Sequence, residues 1–202
     1  MKIDPATLDV RTAHGLLVGT VVPRPIAFVS TISADGVFNV APFSFFGVVA
    51  VKPMLIGFDA NWRRDGQKKN TIVNIESARD FVVNVVNENL AEAMMKAAEP
   101  YPSRVDKFKE ATLTPVKADI VKSPMVGESP INMECRLIRI LEFGDAPGVS
   151  SFIIGEVVRV HIRDELYVNK EVDMHQLKAI ARMGGELYCR TRDIFEMKRT
   201  RT

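Results

Sequence analysis

Lys68, Lys69, Asn70 and Thr71 are the residues in this sequence best suited to holding an anion. The apolar positions that follow them predict a helix that begins near Asn70 and continues through Ile75. The first N–H groups of a helix have no partner within it, and its dipole favours negative charge there. Two ammonium groups and a hydroxyl strengthen that preference, which indicates a phosphate site. The same residues also fit a solvated lysine pair followed by an asparagine cap.

A second stretch, Ala-Pro-Phe-Ser-Phe-Phe at 41–46, has the composition of a wall for a flat heteroaromatic ring. It offers backbone amides, one hydroxyl and aromatic edges. Strand alternation would place Phe43 and Phe45 on one face and Ser44 and Phe46 on the other, leaving Ser44 to meet a ligand. The alternative is an edge strand, where Pro42 is tolerated, with its aromatic residues in the core.

Motifs for metal, nucleotide or nucleophile chemistry are absent from the sequence. It contains no G-x-G-x-x-G, G-x-x-x-x-G-K-[ST], H-E-x-x-H or G-x-S-x-G. His14, His161 and His175 have no metal-ligand spacing with one another or with Cys135 and Cys189. We therefore predict no metal site and no disulfide. If the chain is an enzyme, a bound cofactor carries its chemistry.

Arg24 and His161 are the weaker candidates for a catalytic role. Arg24 lies between two prolines, which restrain its backbone. It is either a donor to a bound ligand or a surface arginine. His161 is either a proton donor or a satisfied histidine on a strand surface. Trp62, in the loop before the lysine pair, is either a lid over a substrate or a loop anchor.

The elements that must position these residues are mostly strands. Two β-rich runs at 26–32 and 37–40 flank an Asp-Gly turn and predict a hairpin. The further strands are expected at 54–58, 80–86, 132–143 and 151–163. In the last of them, one parity is expected to face the core: Phe152, Ile154, Val158, Val160 and Ile162. No regular βαβ alternation occurs, which favours a closed or half-open antiparallel barrel.

Short helices complete the predicted fold. A stripe of apolar residues at helical spacing predicts a helix over 87–98 that is capped by Asn87. Another is expected from Asp173 to the Gly-Gly pair at 184–185, with Ile180 and Ala181 on its apolar face. The connection between the two long strands is expected at 144–148.

Length and composition limit the classes of protein that remain. The 202 residues fit one domain over 1–202, and 47% apolar residues suffice for a core. No apolar stretch reaches the roughly 18–20 residues of a membrane helix, and no secretory signal is present. We therefore expect a cytoplasmic protein without a membrane partner.

The net charge of +2 comes from a short basic tail at 190–202, which holds five basic and two acidic residues. Residues 1–189 carry 22 basic and 23 acidic groups. A nucleic-acid reader normally carries its basic excess on the body of the fold. Nucleic acid is therefore not an expected partner.

The motifs in order resemble a known family. They are R-P-I-A-F-V-S-T from Arg24, D-G-x-x-N-V-A-P-F-S-F-F, K-N-T-x-x-N-I, D-F-V-V-N-V, G-E-V-V-x-V-H-I and A-R-M-G-G-x-x-Y. Together they resemble the flavin reductase-like family with the FMN-binding split β-barrel of Greek-key type, to which flavoredoxins belong. The resemblance runs from Val21 to Phe195. One departure is Asn70, where the family commonly has aspartate.

The resemblance implies a homodimer that binds FMN non-covalently near the subunit interface. Carried across residue by residue, the implied FMN-binding residues are Ser30, Thr31, Ala41, Pro42, Phe43, Ser44, Phe45, Lys69, Asn70 and Thr71. The phosphate would lie at 69–71 and the ring and ribityl chain along 41–45. No protein side chain is assigned as catalytic, because the flavin carries the chemistry.

The implied activity is an oxidoreductase that takes hydride from NADH or NADPH and passes electrons through FMN to a flavin, quinone or protein acceptor. One alternative is a flavoredoxin-like electron-transfer protein that does not react with pyridine nucleotides. Another is a flavin-free barrel that binds an anionic polymer through its basic tail.

Overall fold

The computed structural model describes residues 1–63, 65–145 and 149–198. The strands are β1 (Ala27–Ile32), β2 (Phe38–Phe43), β3 (Phe46–Ala50), β4 (Leu55–Asn61), β5 (Asp80–Val85), β6 (Pro115–Val116), β7 (Met125–Val126), β8 (Ile131–Phe143), β9 (Ser150–Ile162), β10 (Tyr167–Val168), β11 (Glu171–Val172), β12 (Ile180–Arg182) and β13 (Tyr188–Arg190). The helices are α1 (Val10–Thr20), α2 (Asn70–Ala78), α3 (Ala91–Ala98), α4 (Lys107–Glu110) and α5 (Met174–Leu177). Short 3₁₀ turns lie at Pro5–Thr7, Glu88–Leu90 and Asp164–Leu166.

One antiparallel sheet of seven strands, in the order β2-β1-β5-β8-β9-β4-β3, forms the body of the molecule. Its two end strands, β2 and β3, are consecutive in the chain and are joined by Ser44 and Phe45 alone. A connection of two residues keeps the two edges close, so the sheet must curl towards a barrel. The amide of Asp59 in β4 donates to the carbonyl of Phe45 at 2.8 Å, which ties the connection to the far edge. The predicted mainly-β class with short helices is confirmed.

The predicted hairpin forms between β1 and β2. Its turn is closed by hydrogen bonds between Ser33 and Val37 and by Gly36, whose φ of 80° lies in the left-handed region that glycine adopts without strain. Both faces of β1 are covered, and Ala27 to Thr31 are all buried. β2 lies at the end of the strand order, so among the described residues half of its backbone groups have no strand partner.

The predicted core face of β9 is wrong in its first half and at Val160. The buried residues of the first half are Ser151, Ile153 and Gly155, whereas Phe152 and Ile154 are only partly buried, and 39% of Val160 is exposed. Register shifts opposite Cys135 and near Leu137 insert extra residues into the pairing of β8 with β9, and each insertion reverses the alternation of side chains.

The helices agree with the sequence patterns at two places and differ at two others. α2 begins at Asn70, and α3 follows a turn in which Asn87 Oδ1 accepts the amide of Leu90, so both predictions are confirmed.

The helix expected to reach the Gly-Gly pair instead ends after Leu177. Lys178 adopts a left-handed conformation with φ 49°, and Ile180 and Ala181, which were expected on the apolar face of that helix, lie in β12, which pairs with β13. α1 was not predicted, and none of its residues is buried.

Two hydrophobic cores hold the elements around β2 in place. In the barrel, the ring centroid of Phe58 lies 5.0 Å from that of Phe43 and 5.5 Å from that of Phe81, and α2 covers this core with Ile72 and Ile75. The second core packs α3 and α4 against β1 and β2. The start of α2 and the end of α3 therefore stand on either side of the outer edge of β2.

The sequence also led to predictions about membrane helices and the two cysteines. Among the described residues, no helix is long and apolar enough to cross a membrane. Cys135 and Cys189 are free thiols, and burial raises the pKa of Cys135. Residues 146–148 of the predicted connection and 199–202 of the basic tail lie outside the described residues.

Candidate functional site

The two segments singled out in the sequence line one cavity of about 640 Å³. β2 supplies Ala41, Pro42 and Phe43, and the start of α2 supplies residues 69–71. The opposite wall is formed by residues 98–102 and by Lys107. These elements are fixed by the two cores described above, so the cavity is a consequence of the fold.

Lys69 is the positive charge of this cavity that the sequence singled out. Its ammonium lies 5.5 Å from the centroid of the Phe43 ring. Burial lowers the pKa of Lys69; Asp59 opposes that shift and Arg63 adds to it. Lys69 occupies the N-cap of α2 and makes no side-chain capping bond, so its side chain adds positive charge to the helix N-terminus and offers no acceptor to the first amides.

Lys68 turns away from the cavity. Its Nζ lies 2.5 Å from Glu76 Oε1 and 3.1 Å from Glu142 Oε1, and 5.3 Å from the centroid of the Trp62 ring. Hydrogen bonding to Glu76 raises the pKa of Lys68. The two adjacent lysines therefore have opposite environments, one satisfied by carboxylates and one not. Trp62 is a loop anchor, since its indole N–H donates to Ser151 Oγ at 2.9 Å.

The sequence pattern suggested that Asn70 caps the helix, but Asn70 does not occupy the cap position. It is the first helical residue, and its Oδ1 accepts a hydrogen bond of 2.7 Å from the guanidinium of Arg63. This bond holds Arg63 at the rim of the same cavity. The cation is supplied by a loop whose position no local pattern specifies.

A network of buried amide and hydroxyl groups supports the floor of the cavity. The amide nitrogen of Asn39 donates to Thr31 Oγ1 at 3.1 Å and to Thr71 Oγ1 at 3.0 Å. Asn74 of α2 donates to the same Thr31 oxygen at 3.1 Å. Thr31 therefore lies behind the cavity wall and orients Asn39, which does line the cavity.

Ser30 lies further from the cavity. Its hydroxyl, which is fully buried, donates to the carbonyl of Pro124 at 2.5 Å and accepts from Asn84 at 3.0 Å. Alternation along β1 directs it to the face opposite Thr31. Neither Ser30 nor Thr31 is among the lining residues.

A second cavity of about 730 Å³ continues from the first and shares Pro42, Lys69 and Ala98 with it. Ser44 and Phe45 line this second cavity. The chain bends at these two residues, so the expected alternation is wrong: Phe43 and Phe46 pack on the barrel core, and Phe45 leaves it. The ring of Phe45 stacks on His14 of α1 at 6.3 Å between centroids.

Arg24 is buried rather than at the surface, with 5% of its area exposed. Its guanidinium donates to the carbonyls of Val18 at 2.7 Å, Val21 at 2.6 Å and Met183 at 2.9 Å. It also lies 5.8 Å from the centroid of the Phe45 ring. Arg24 therefore fixes the C-terminal end of α1 and the 183–185 segment as walls of the second cavity.

His161 lies away from both cavities and contacts Glu134. Its Nε2 lies 2.6 Å from Glu134 Oε1, and it lines neither of the two cavities just described. Glu134 is fully buried and also accepts the amides of residues 119–121. Asp119 joins this group, and ligand atoms of the three side chains lie within 4.8 Å of one another. The spacing in sequence gave no sign of this cluster, because the fold alone brings its members together.

Several lining residues were not singled out as ligands in the sequence: Asn39, Arg63, Tyr101 and Lys107 in the first cavity, and Arg11 and His14 in the second. A weak signal existed for Asn39, which belongs to the N-V-A-P-F motif. The others come from a loop and from helices that approach β2 through tertiary packing.

The chain is similar to known proteins over most of its length. A family model described as a flavin reductase like domain matches residues 18–178. An uncharacterized protein from Halalkalibacterium halodurans is 36% identical over 201 residues, which cover 98% of this chain and 96% of that protein. The uncharacterized YwrF of Bacillus subtilis is 33% identical over 196 residues, 95% of each chain.

Solved structures are also similar over nearly the whole chain. Nitrilotriacetate monooxygenase component B from Bacillus cereus is 32% identical with a TM-score of 0.93, covering 98% of both chains. A 2-nitrobenzoate 2-nitroreductase from Pseudomonas fluorescens is 28% identical with a TM-score of 0.90, covering 99% of this chain and 96% of that one. A split-barrel protein from Shewanella frigidimarina is 20% identical with a TM-score of 0.84, covering 99% of this chain and 100% of that one. By its sequence and its split-barrel fold, this chain belongs to the flavin reductase-like family.

Proposed function

We propose that the chain binds FMN with its phosphate at residues 69–71 and its ring system along residues 41–45. The observation that carries the proposal is the continuity of the two cavities along β2, with Pro42, Lys69 and Ala98 common to both. One end offers an ammonium, a hydroxyl and a helix N-terminus. The other offers an aromatic side chain and backbone amides on an unpaired strand edge, which suit a flat ring with polar edges.

We further propose that the protein is an oxidoreductase that takes hydride from NADH or NADPH. When bound, FMN supplies the hydride and electron chemistry. The protein orients the two reactants and provides a cationic surface for the second one. Arg11, Arg24 and Arg182 line the second cavity with Ser44, and its described lining contains no carboxylate. A negatively charged donor or acceptor is favoured there.

The supporting residues of the site have assigned tasks in this proposal. Thr31 and Asn39 hold the hydroxyl of Thr71 in place, and Asn70 holds Arg63. Ser30 has a structural task, because its hydroxyl bonds to Pro124 and Asn84 on the face of β1 opposite Thr31. Arg24 keeps α1 against Phe45, and His161 has no part in the reaction because it lies outside both cavities.

The test is anaerobic mixing of the FMN-loaded protein with NADH or with NADPH, followed by absorbance of the oxidised flavin. The expected result is bleaching by at least one nucleotide, and bleaching by dithionite as the control. If dithionite alone bleaches the protein, the proposed activity is wrong and an electron-transfer role is favoured. A protein that binds no FMN at saturating concentration would contradict the whole proposal.

The electron acceptor is addressed by a second arm of the same assay. One structural relative is a nitroreductase and another is a component of a monooxygenase. Turnover with excess NADH or NADPH is compared for free FMN, a quinone and 2-nitrobenzoate. The cationic lining of the second cavity favours the two anionic acceptors over the neutral quinone.

We also propose a cytoplasmic homodimer. β3 and the residue after it expose apolar side chains, with 78% of Val48 and 82% of Val51 accessible in the single chain. Exposed apolar strands are commonly covered by a partner. Light scattering during size-exclusion chromatography is expected to give twice the mass of the chain, and a mass of one chain would contradict the proposal.

A further inference from the structure

The wall of the first cavity opposite α2 carries a lysine that is held in an unusual environment. Lys107 begins α4, and only 8% of its area is exposed. The next residue, Phe108, is 1% exposed in the second core, and Asp106 accepts two amides of the same turn. The backbone of Lys107 is therefore fixed, and its side chain has little freedom to leave the cavity.

The contacts of Lys107 do not compensate its charge. Its Nζ donates to the carbonyl of Ala97 at 2.8 Å and lies 5.7 Å from the centroid of the Tyr101 ring. Within the described parts of the chain, neither Lys107 nor Lys69 forms an ion pair with a carboxylate. Both line the same cavity, together with Arg63.

The charged groups that face Lys107 come from every wall of the cavity. The pKa of Lys107 is lowered to about 8, mainly by burial. The positive charges of Lys69, just before α2, and of Arg63, after β4, add to this shift. Glu99 at the end of α3 acts in the opposite direction. Asp65 also lines the cavity but is exposed. This end of the cavity therefore holds three basic side chains, those of Lys69, Arg63 and Lys107, against the two carboxylates of Glu99 and Asp65. The excess of positive charge favours the binding of an anion.

We propose that Lys107 is a direct ligand of the FMN phosphate and that its protonation is coupled to phosphate binding. The inference rests on the proposed FMN site and adds a residue from the opposite wall. In the flavin-free protein near pH 8, part of the population carries the neutral amine. A phosphate dianion beside it favours the ammonium, so the amine takes one proton from solvent as FMN binds. No covalent bond changes and no electrons move.

This coupling has a defined sign. At pH 7 the amine is already mostly protonated, so FMN affinity changes little with pH through this group. Above pH 8 each binding event takes up about one proton, and the dissociation constant of FMN rises about tenfold per pH unit. Riboflavin lacks the phosphate and does not draw this proton.

The experiment measures the dissociation constants of FMN and riboflavin between pH 6.5 and 9.5 by flavin fluorescence. The wild type is compared with Lys107→Met, with Lys107→Gln, which retains a donor for the Ala97 carbonyl, and with Lys109→Met. Lys109 is an exposed lysine on the same helical turn and serves as the matched control. Because Lys69 contributes a pH dependence of its own, the difference between variants is the quantity of interest.

Both Lys107 variants are expected to bind FMN about 10- to 100-fold more weakly at pH 7 and to show a slope smaller by about one proton above pH 8. Their riboflavin affinity and the FMN affinity of Lys109→Met are expected to stay within twofold of wild type. Wild-type FMN affinity and slope in both Lys107 variants would overturn the inference while leaving the FMN site intact. An equal loss of riboflavin would also overturn it, because Lys107 would then be structural. A wild type that binds no FMN would refute the proposed function itself.

Discussion

Replacement of Lys69 by methionine tests the proposed phosphate site and has two expected effects of opposite sign. Methionine keeps the long apolar stem over Phe43 and removes only the ammonium. A hydrogen bond to a charged group contributes about 1.5–3 kcal/mol, so the dissociation constant of FMN is expected to rise about 10- to 100-fold.

The same substitution is expected to leave the flavin-free protein as stable as the wild type or more stable. Burial lowers the pKa of Lys69 below the value it has in the unfolded chain. A lysine with a lowered pKa opposes folding at neutral pH, and this cost disappears as the pH rises through the folded and then the unfolded value. Removal of the ammonium removes the cost, because burial outweighs the attraction of Asp59, and Lys69 forms no ion pair within the described residues.

The assay combines fluorescence titration with FMN and thermal unfolding without flavin at pH 7. Lys68→Met is the matched control, because Lys68 is paired with Glu76 and Glu142 and points away from the cavity. Its FMN affinity is expected to stay within twofold of wild type. The reasoning is refuted if Lys69→Met binds FMN as tightly as wild type, or if Lys68→Met weakens binding as much.

Three further substitutions test the frame around the site. Arg24→Met removes three hydrogen bonds to carbonyls and is expected to lower the free energy of unfolding in urea by about 2–4 kcal/mol, whereas a surface arginine would give less than about 0.5 kcal/mol. Gly155→Ala places a Cβ 2.4 Å from the buried ring of Phe81 and is expected to cost about 1–3 kcal/mol; an unchanged urea midpoint would mean that this ring can move aside. Burial acts to raise the pKa of Glu134, but hydrogen bonds from His161 and three amides outweigh it and lower the pKa. The carboxylate therefore stabilises the fold above its unfolded pKa, and this stability is lost as the pH falls through the folded value. Glu134→Gln is expected to cost about 1–3 kcal/mol at pH 7 and much less near pH 3, and a pH-independent loss would contradict this assignment.

Local patterns in the sequence were sufficient for several elements. The Asp-Gly turn specified the hairpin of β1 and β2, and the stripe of apolar residues specified α3, because both depend on contacts between residues a few positions apart. The long strands β8 and β9 were located for the same reason. Their side-chain parity was not, since it depends on bulges that form only when the two strands pair.

The helix expected after Asp173 shows where local patterns fail. Its apolar residues Ile180 and Ala181 have a spacing that fits a helix, but residues 180–182 form a strand because β13 and Arg24 offer backbone partners. The hydrogen bonds that decide between the two structures come from elsewhere in the chain. No periodicity within the segment records them.

For the site, the sequence by itself determined the family and the two segments, residues 41–45 and 69–71, that carry its motifs. Tertiary structure alone decided that Lys69 faces the cavity while Lys68 does not. It also decided that Arg24 is buried and hydrogen-bonded to carbonyl groups, and that Lys107 lines the cavity from the opposite wall. A motif specifies residue types along the chain. The charge and solvation of each side chain depend on neighbours distant in sequence, which only the packing of helices and loops around β2 brings into contact.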